Sequence, residues 1–154
     1  MVRGILIYIS VYVGLFVACF YLLSLWEHRK LGKPKPLERF PFVSIIIPAH
    51  NEEKGVRGTI ENALALDYPK DLLEVIVIDD GSIDKTYERA LEFKNLKNVR
   101  VYRFKKNKGK GAAMNYGINH SKGEIIVTMD ADNTIPEKDA LKKLVPYFNR
   151  KEVM

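Results

Sequence analysis

GEIIVTMDAD, residues 123–132, sets an apolar run directly against two carboxylates spaced one residue apart, Asp130 and Asp132. Ile125, Ile126, Val127 and Met129 read as an interior strand of a parallel sheet, buried on both faces. Open parallel sheets bind ligands at the carboxyl ends of their strands, so the acids stand where a site belongs. Two carboxylates on a strand that is leaving the sheet can face one hard cation. Mg²⁺ is commonly held by one or two carboxylates together with substrate phosphates, and the pattern therefore implies a nucleoside diphosphate with its metal. A solvated turn whose acids cap the next helix is the competing reading of an isolated Asp-x-Asp.

Working back from this strand, the same alternation recurs. Residues 42–48, FVSIIIP, form a short β-branched run followed by AHNEE; a helical pattern through Ile60, Ala63, Leu64 and Leu66 then stops before Tyr68-Pro69. EVIVID, residues 74–79, is a second buried strand. It ends in DDGSIDKT, where Gly81 suits a bend and Ser82 or Asp84 suits a helix cap, and the helix continues through Tyr87, Ala90, Leu91 and Phe93. VRVYRF, residues 99–104, predicts a third, less buried strand. KKNKGKG, residues 105–111, opens a helix over 112–120, and beyond the fourth strand a last helix is expected over 136–149, with Pro136 in its first turn and Pro146 ending it early. Strands alternating with helices predict a parallel α/β sheet with helices on both faces and all four carboxyl ends along one edge. PAHNEE, DDGS, the Lys-Gly loop and the two acids then share one crevice.

The bulk composition narrows the function. The 154 residues suffice for one domain, and the single Cys19 excludes an internal disulfide. His28, His50 and His120 are scattered, without zinc spacing. The net charge of +6 raises the question of nucleic acid, but no motif for it is present, and much of the excess follows an apolar segment. Gly4 to Trp26 carries no charge for about 23 residues, roughly 34 Å as a helix, enough to cross a hydrocarbon core of about 30 Å. Arg3 precedes it, whereas Arg29, Lys30, Lys33, Lys35 and Arg39 follow, which predicts a single-pass anchor in the cell membrane with the remaining chain on the cytoplasmic side. A cleaved signal peptide fits less well, because the run is long and no small-x-small site precedes Trp26. The expected organisation is an anchor over 1–27, a basic proline-rich linker over 28–41 that can rest on membrane lipid, and a catalytic-type domain over 42–154.

FVSIIIPAHNEE, VIVIDDGSIDKT, NKGKGAAMNYGI and GEIIVTMDADNTIPEKDAL, in this order, resemble the donor-binding half of family 2 inverting glycosyltransferases of the GT-A (Rossmann-like) fold, in their membrane-anchored branch. The resemblance covers essentially everything after the linker. It implies that Pro48, Ala49 and Glu52 line the base and ribose of a UDP- or GDP-linked sugar, that Asp79 with Asp80 accepts a hydrogen bond from the base, and that Lys110 approaches the donor from the glycine loop. It further implies that Asp130, Ala131 and Asp132 form the metal motif, with Asp132 coordinating Mg²⁺ or Mn²⁺ and Asp130 meeting ribose or a metal-bound water. The implied reaction is inverting sugar transfer to a polysaccharide, glycolipid or lipid phosphate. Structural alternatives stand beside these roles: Glu52 as a helix-start acid, Asp79 and Asp80 as turn formers, His50 as a packing or capping residue, and Lys105, Lys106 and Lys108 as a solvated run, with Asn115 open between a site role and a structural one.

The sequence also departs from that family. It contains no glutamine and its one tryptophan is Trp26, so the Gln-x-x-Arg-Trp motif of polymerising members is not among these residues. No acceptor-side base follows Asp132, since Glu137 and Asp139 read as first-turn acids. The expectation is a truncated form with little or no turnover, whose last strand offers an open edge for a homodimer. Two other readings compete. One is a catalytically silent nucleotide-binding or assembly module. The other is a dinucleotide-dependent oxidoreductase, which fails because Met114 replaces the third glycine of its fingerprint and the loop belongs to the third βα unit.

Overall fold

The computed structural model describes residues 2–29 and 39–149; of the linker expected over 28–41, residues 30–38 lie outside them. The chain divides into two units, Met1–Lys35 and Pro36–Met154. In the first, α1 (Val2–Arg29) is one uninterrupted helix. Its stretch Gly4–Trp26 has a mean hydropathy of 2.3 and no buried residue, so it is apolar all round, long and greasy enough to cross a bilayer. Within it Ser10 Oγ donates to Leu6 O at 2.6 Å, one turn back.

The second unit is the expected α/β sheet. Strands β1 (Val43–Ala49), β2 (Leu73–Asp79), β3 (Val99–Arg103) and β4 (Ile125–Thr128) are all parallel, in the order β3-β2-β1-β4. Every residue of β1 and β2 is buried, as their unbroken apolar runs require, while β3 is buried only at Val99. The period of two divides the side chains. Val43, Ile45, Ile47, Val75 and Val77 pack with Val56, Ile60 and Ala63 of α2 (Val56–Leu64), Ala90 of α3 (Thr86–Leu91) and Leu141 of α5 (Ala140–Leu144). On the other face Ile46, Ile76 and Ile78 meet Ala113 of α4 (Lys110–His120). Each fully buried Val or Ile contributes about 1.5–3 kcal/mol relative to exposure. Helix α4 lies so close that a Cβ on Gly117 would come 2.6 Å from Ile46 Cγ2.

Strand order fixes the site's position. The chain steps outward from β1 through β2 to β3, then crosses over α4 to place β4 on the far side of β1. The crossover direction therefore reverses between β1 and β4, the place where open α/β sheets leave a crevice at their carboxyl ends.

At the opposite end of the sheet, the buried Glu74 carboxylate receives the Ser44 hydroxyl, the Lys122 amide and the Arg100 guanidinium. Burial alone would raise its pKa. The hydrogen bonds from Ser44 and Lys122 and the charge of Arg100 outweigh burial and hold Glu74 below the usual glutamate range.

The last helix differs from expectation. Rather than starting at Pro136, the chain after β4 stays irregular until α5, and Pro146 falls in a short 3₁₀ turn over Val145–Asn149. The segment before α5 is tied to distant residues: the Ile135 amide donates to Asn62 Oδ1 at 3.1 Å, and the Asp67 amide donates to Lys138 O at 2.8 Å. Glu137 and Asp139, expected as first-turn acids, both pair with Lys143, at 2.6 and 3.1 Å.

Candidate functional site

The strands end at Ala49, Asp79, Arg103 and Thr128, and the ladder continues slightly past them through the Asp80 amide on Ala49 O at 2.8 Å and the Met129 amide on Ile46 O at 3.0 Å. The segments beyond enclose a crevice of about 400 Å³. Pro48, Ala49, His50 and Glu52 line it from β1, Asp80 from β2, Asn107, Gly109 and Lys110 from the loop into α4, and Asp130, Ala131 and Asp132 from β4. All the residues expected from sequence converge here except Asp79.

The first two loops are laced together. Asn51 adopts the left-handed conformation, φ 56°, in which its amide donates to Ser82 Oγ at 2.9 Å and its Oδ1 accepts the Ile83 amide at 3.0 Å. Asparagine tolerates that conformation better than other side-chain-bearing residues do. The Glu52 amide donates to Thr86 Oγ1 at 2.8 Å and the Glu53 amide to Asp84 Oδ2 at 3.2 Å. Asp84 also accepts from the Thr86 amide and hydroxyl. Slight burial opposes ionisation there, but these donors prevail and lower its pKa. Asp84 thus serves the start of α3 as expected, while Ser82 reaches across to the neighbouring loop. His50 donates from Nδ1 to Asp80 O at 2.8 Å, leaving Nε2 to accept from Asn51 Nδ2 at 3.2 Å, an assignment made from the partners. His50 is therefore both a loop tie and part of the crevice wall.

The two aspartates of DDGS divide their roles. Asp79 is fully buried: Oδ1 accepts the Ser82 amide at 3.2 Å, and Oδ2 lies 3.1 Å from Arg103 Nε without an aligned hydrogen bond. Asp80 accepts the Lys108 amide at 2.7 Å and the Gly109 amide at 2.8 Å, one on each oxygen, and so shapes the glycine loop. Gly81 makes this approach possible. Its φ is +68°, and a Cβ there would lie 2.6 Å from the Asn107 amide nitrogen. Asn107 was not legible as a crevice residue, because only the Asp80 clamp brings its loop inward. Asn115 is exposed on α4 and outside the crevice.

At the β4 side, Asp130 pairs with Lys110 Nζ, and both side chains are about half exposed. Asp132 makes no hydrogen bond or ion pair with another described residue. Among the crevice residues four are carboxylates, Glu52, Asp80, Asp130 and Asp132, against one lysine, Lys110. Such a surface repels an anion unless a cation accompanies it. Among the described residues no three His, Cys, Asp or Glu side chains converge as a complete cage. Two hard carboxylates with the remaining positions left to ligand oxygens and water suit Mg²⁺ or Mn²⁺.

Residues 44–154 match the model of the family described as Glycosyl transferase family 2. The probable glycosyltransferase YdaM of Bacillus subtilis (strain 168) is 43% identical over 113 residues, which cover 71% of this chain and 27% of that protein. The mannosyltransferase PcManGT from Pyrobaculum calidifontis, solved with GDP-Man and Mn²⁺, superposes with a TM-score of 0.73 at 31% identity, over 90% of this chain and 43% of that one. S. aureus TarS with UDP-GlcNAc gives a TM-score of 0.64 at 30% identity, covering 70% of this chain and 31% of that chain. The chain thus spans less than half the length of each of these three proteins.

Proposed function

The chain belongs to glycosyltransferase family 2, and on that premise we propose that its crevice binds a nucleoside-diphosphate sugar through a divalent cation, as the donor half of an inverting transferase. The observation that carries this reading is the balance of four carboxylates to one lysine around a crevice at the crossover reversal. An anionic donor needs a cation to enter it. Pro48, Ala49 and Glu52 line the base and ribose. Asp79, fully buried beside Arg103 and outside the crevice lining, is not presented to the base as the resemblance implied, while Asp80 holds the glycine loop in place. Lys110 exchanges Asp130 for the diphosphate, and Asp130 and Asp132 hold Mg²⁺ or Mn²⁺. When bound, the cation neutralises charge on the departing diphosphate.

The acceptor is a polysaccharide, glycolipid or lipid phosphate. An already ionised phosphate acceptor would require no general base. Residues 1–27 anchor the protein in the cell membrane, 28–41 form the linker and 42–154 the donor-binding domain, on the cytoplasmic side by the excess of Arg and Lys after Trp26. Among the described residues β4 pairs with β1 alone, and its outer edge is the surface through which two copies would associate. Light scattering in detergent checks that point, a monomer at high concentration removing it.

Titration calorimetry of the 154-residue chain in detergent, with Mn²⁺ and a panel of GDP- and UDP-sugars, tests the central reading. Binding is expected with at least one donor and is lost in Asp132→Ala. A folded protein that gives no heat with any donor overturns it. A silent nucleotide-binding module is distinguished by binding without hydrolysis or transfer.

A further inference from the structure

Helix α2 contributes no side chain to the crevice, yet it holds the turn that carries Asp132. Thr59 is 2% exposed, and its Oγ lies 2.8 Å from Ala131 O, 3.1 Å from Asn133 O and 3.2 Å from Gly55 O. A hydroxyl has one proton to donate, and the shortest of these contacts directs it to Ala131 O, 72 residues away in sequence. Beside it, Gly55 lies flush against the same turn: a Cβ would come 2.7 Å from Ala131 O and 3.1 Å from Asp132 Cα. Asn62 on the same helix accepts the Ile135 amide at 3.1 Å. Asp132 has no hydrogen bond of its own to orient it, so the direction of its carboxylate is inherited from the backbone on either side. That backbone is fixed by α2.

Local preference alone does not explain Thr59. A β-branched residue is a modest helix former, and a hydroxyl turned toward the interior must find an acceptor there. Both features are accounted for if the hydroxyl serves the carbonyl between the two acids.

We propose that Thr59, assisted by the absence of a side chain at Gly55, is a positioning residue that sets where Asp132 presents its carboxylate to the divalent cation. The proposal rests on the reading of Asp130 and Asp132 as the cation site. Outer-shell partners of metal ligands typically change affinity by about 10- to 100-fold when removed. Thr59→Val removes the donor and keeps the shape, whereas Thr59→Ser keeps the donor.

The test measures free Mn²⁺ by electron paramagnetic resonance as the ion alone is titrated into the full chain in detergent, with thermal melting recorded for each variant. The expected result is about tenfold weaker Mn²⁺ binding in Thr59→Val and in Gly55→Ala, with Thr59→Ser within about twofold of wild type. A folded Thr59→Val that binds Mn²⁺ like wild type overturns the proposal. So does a series in which Val and Ser weaken binding equally, in step with melting temperature. Should Thr59→Val not fold, unchanged binding in Gly55→Ala overturns it. Wild type indistinguishable from Asp132→Ala removes the cation site itself, and the positioning role with it.

Discussion

The two ends of the sheet treat a carboxylate in opposite ways. At the amino end Glu74 is buried and takes a hydroxyl, a backbone amide and a guanidinium, so its charge is fully committed. At the carboxyl end Asp132 is exposed and engages no described residue, and Asp130 has only a half-exposed lysine. The lesson is about satisfaction rather than residue type. A carboxylate whose lone pairs are all answered within the chain stabilises the fold, and one left open awaits something from outside.

Substitutions at the two ends should separate cleanly. Asp132→Ala is expected to weaken Mn²⁺-dependent donor binding on the order of 100-fold while leaving thermal unfolding nearly unchanged. A melting loss as large as that from the amino-end variant would erase the contrast. Glu74→Ala is expected to cost about 2 kcal/mol by urea unfolding, because it strands the Ser44 hydroxyl, the Lys122 amide and Arg100, with donor binding preserved.

The pH dependence sharpens this. Glu74 has a lowered pKa in the folded chain, so the unfolded chain binds its proton first as pH falls. Its contribution is therefore complete above the unfolded value of about 4.3 and disappears as pH drops through the lower folded value. The stability gap between wild type and Glu74→Gln should be constant near neutrality and close in acid. A gap that widens below about pH 4 contradicts the assignment. The smallest effect is expected for Lys110→Ala, about tenfold weaker sugar-nucleotide binding with a flatter salt dependence, read by calorimetry at two ionic strengths.

Much of this was legible from residues alone. β-Branched runs identify β1 and β2 because strands covered on both faces tolerate little else; β4, expected as an interior strand, is instead the edge of the described sheet with Ile126 and Thr128 exposed, though the acids at its end announce the crevice once the sheet is parallel. What escaped reading depends on contacts between distant segments. Asn107 enters the crevice only because Asp80 clamps Lys108 and Gly109, and Thr59 matters only because its hydroxyl meets Ala131 O. The helix expected from Pro136 starts late, at Ala140, in a segment tied to distant residues through the Ile135 amide on Asn62 and the Lys138 carbonyl on the Asp67 amide. Asp80 itself was placed correctly at the crevice, but its oxygens face inward to the loop.

Helix α4 touches the sheet through small residues, Ala113 and Gly117, and begins at the lysine that faces the crevice. Lys110 stands about 10 Å along the helix from Gly117, so a tilt of about 10° about that contact would move the lysine by about 2 Å. A side chain in place of that one glycine would meet Ile46 and Ile78, so the standoff of α4 from the sheet, and with it the reach of the lysine, rests on a residue far from the crevice.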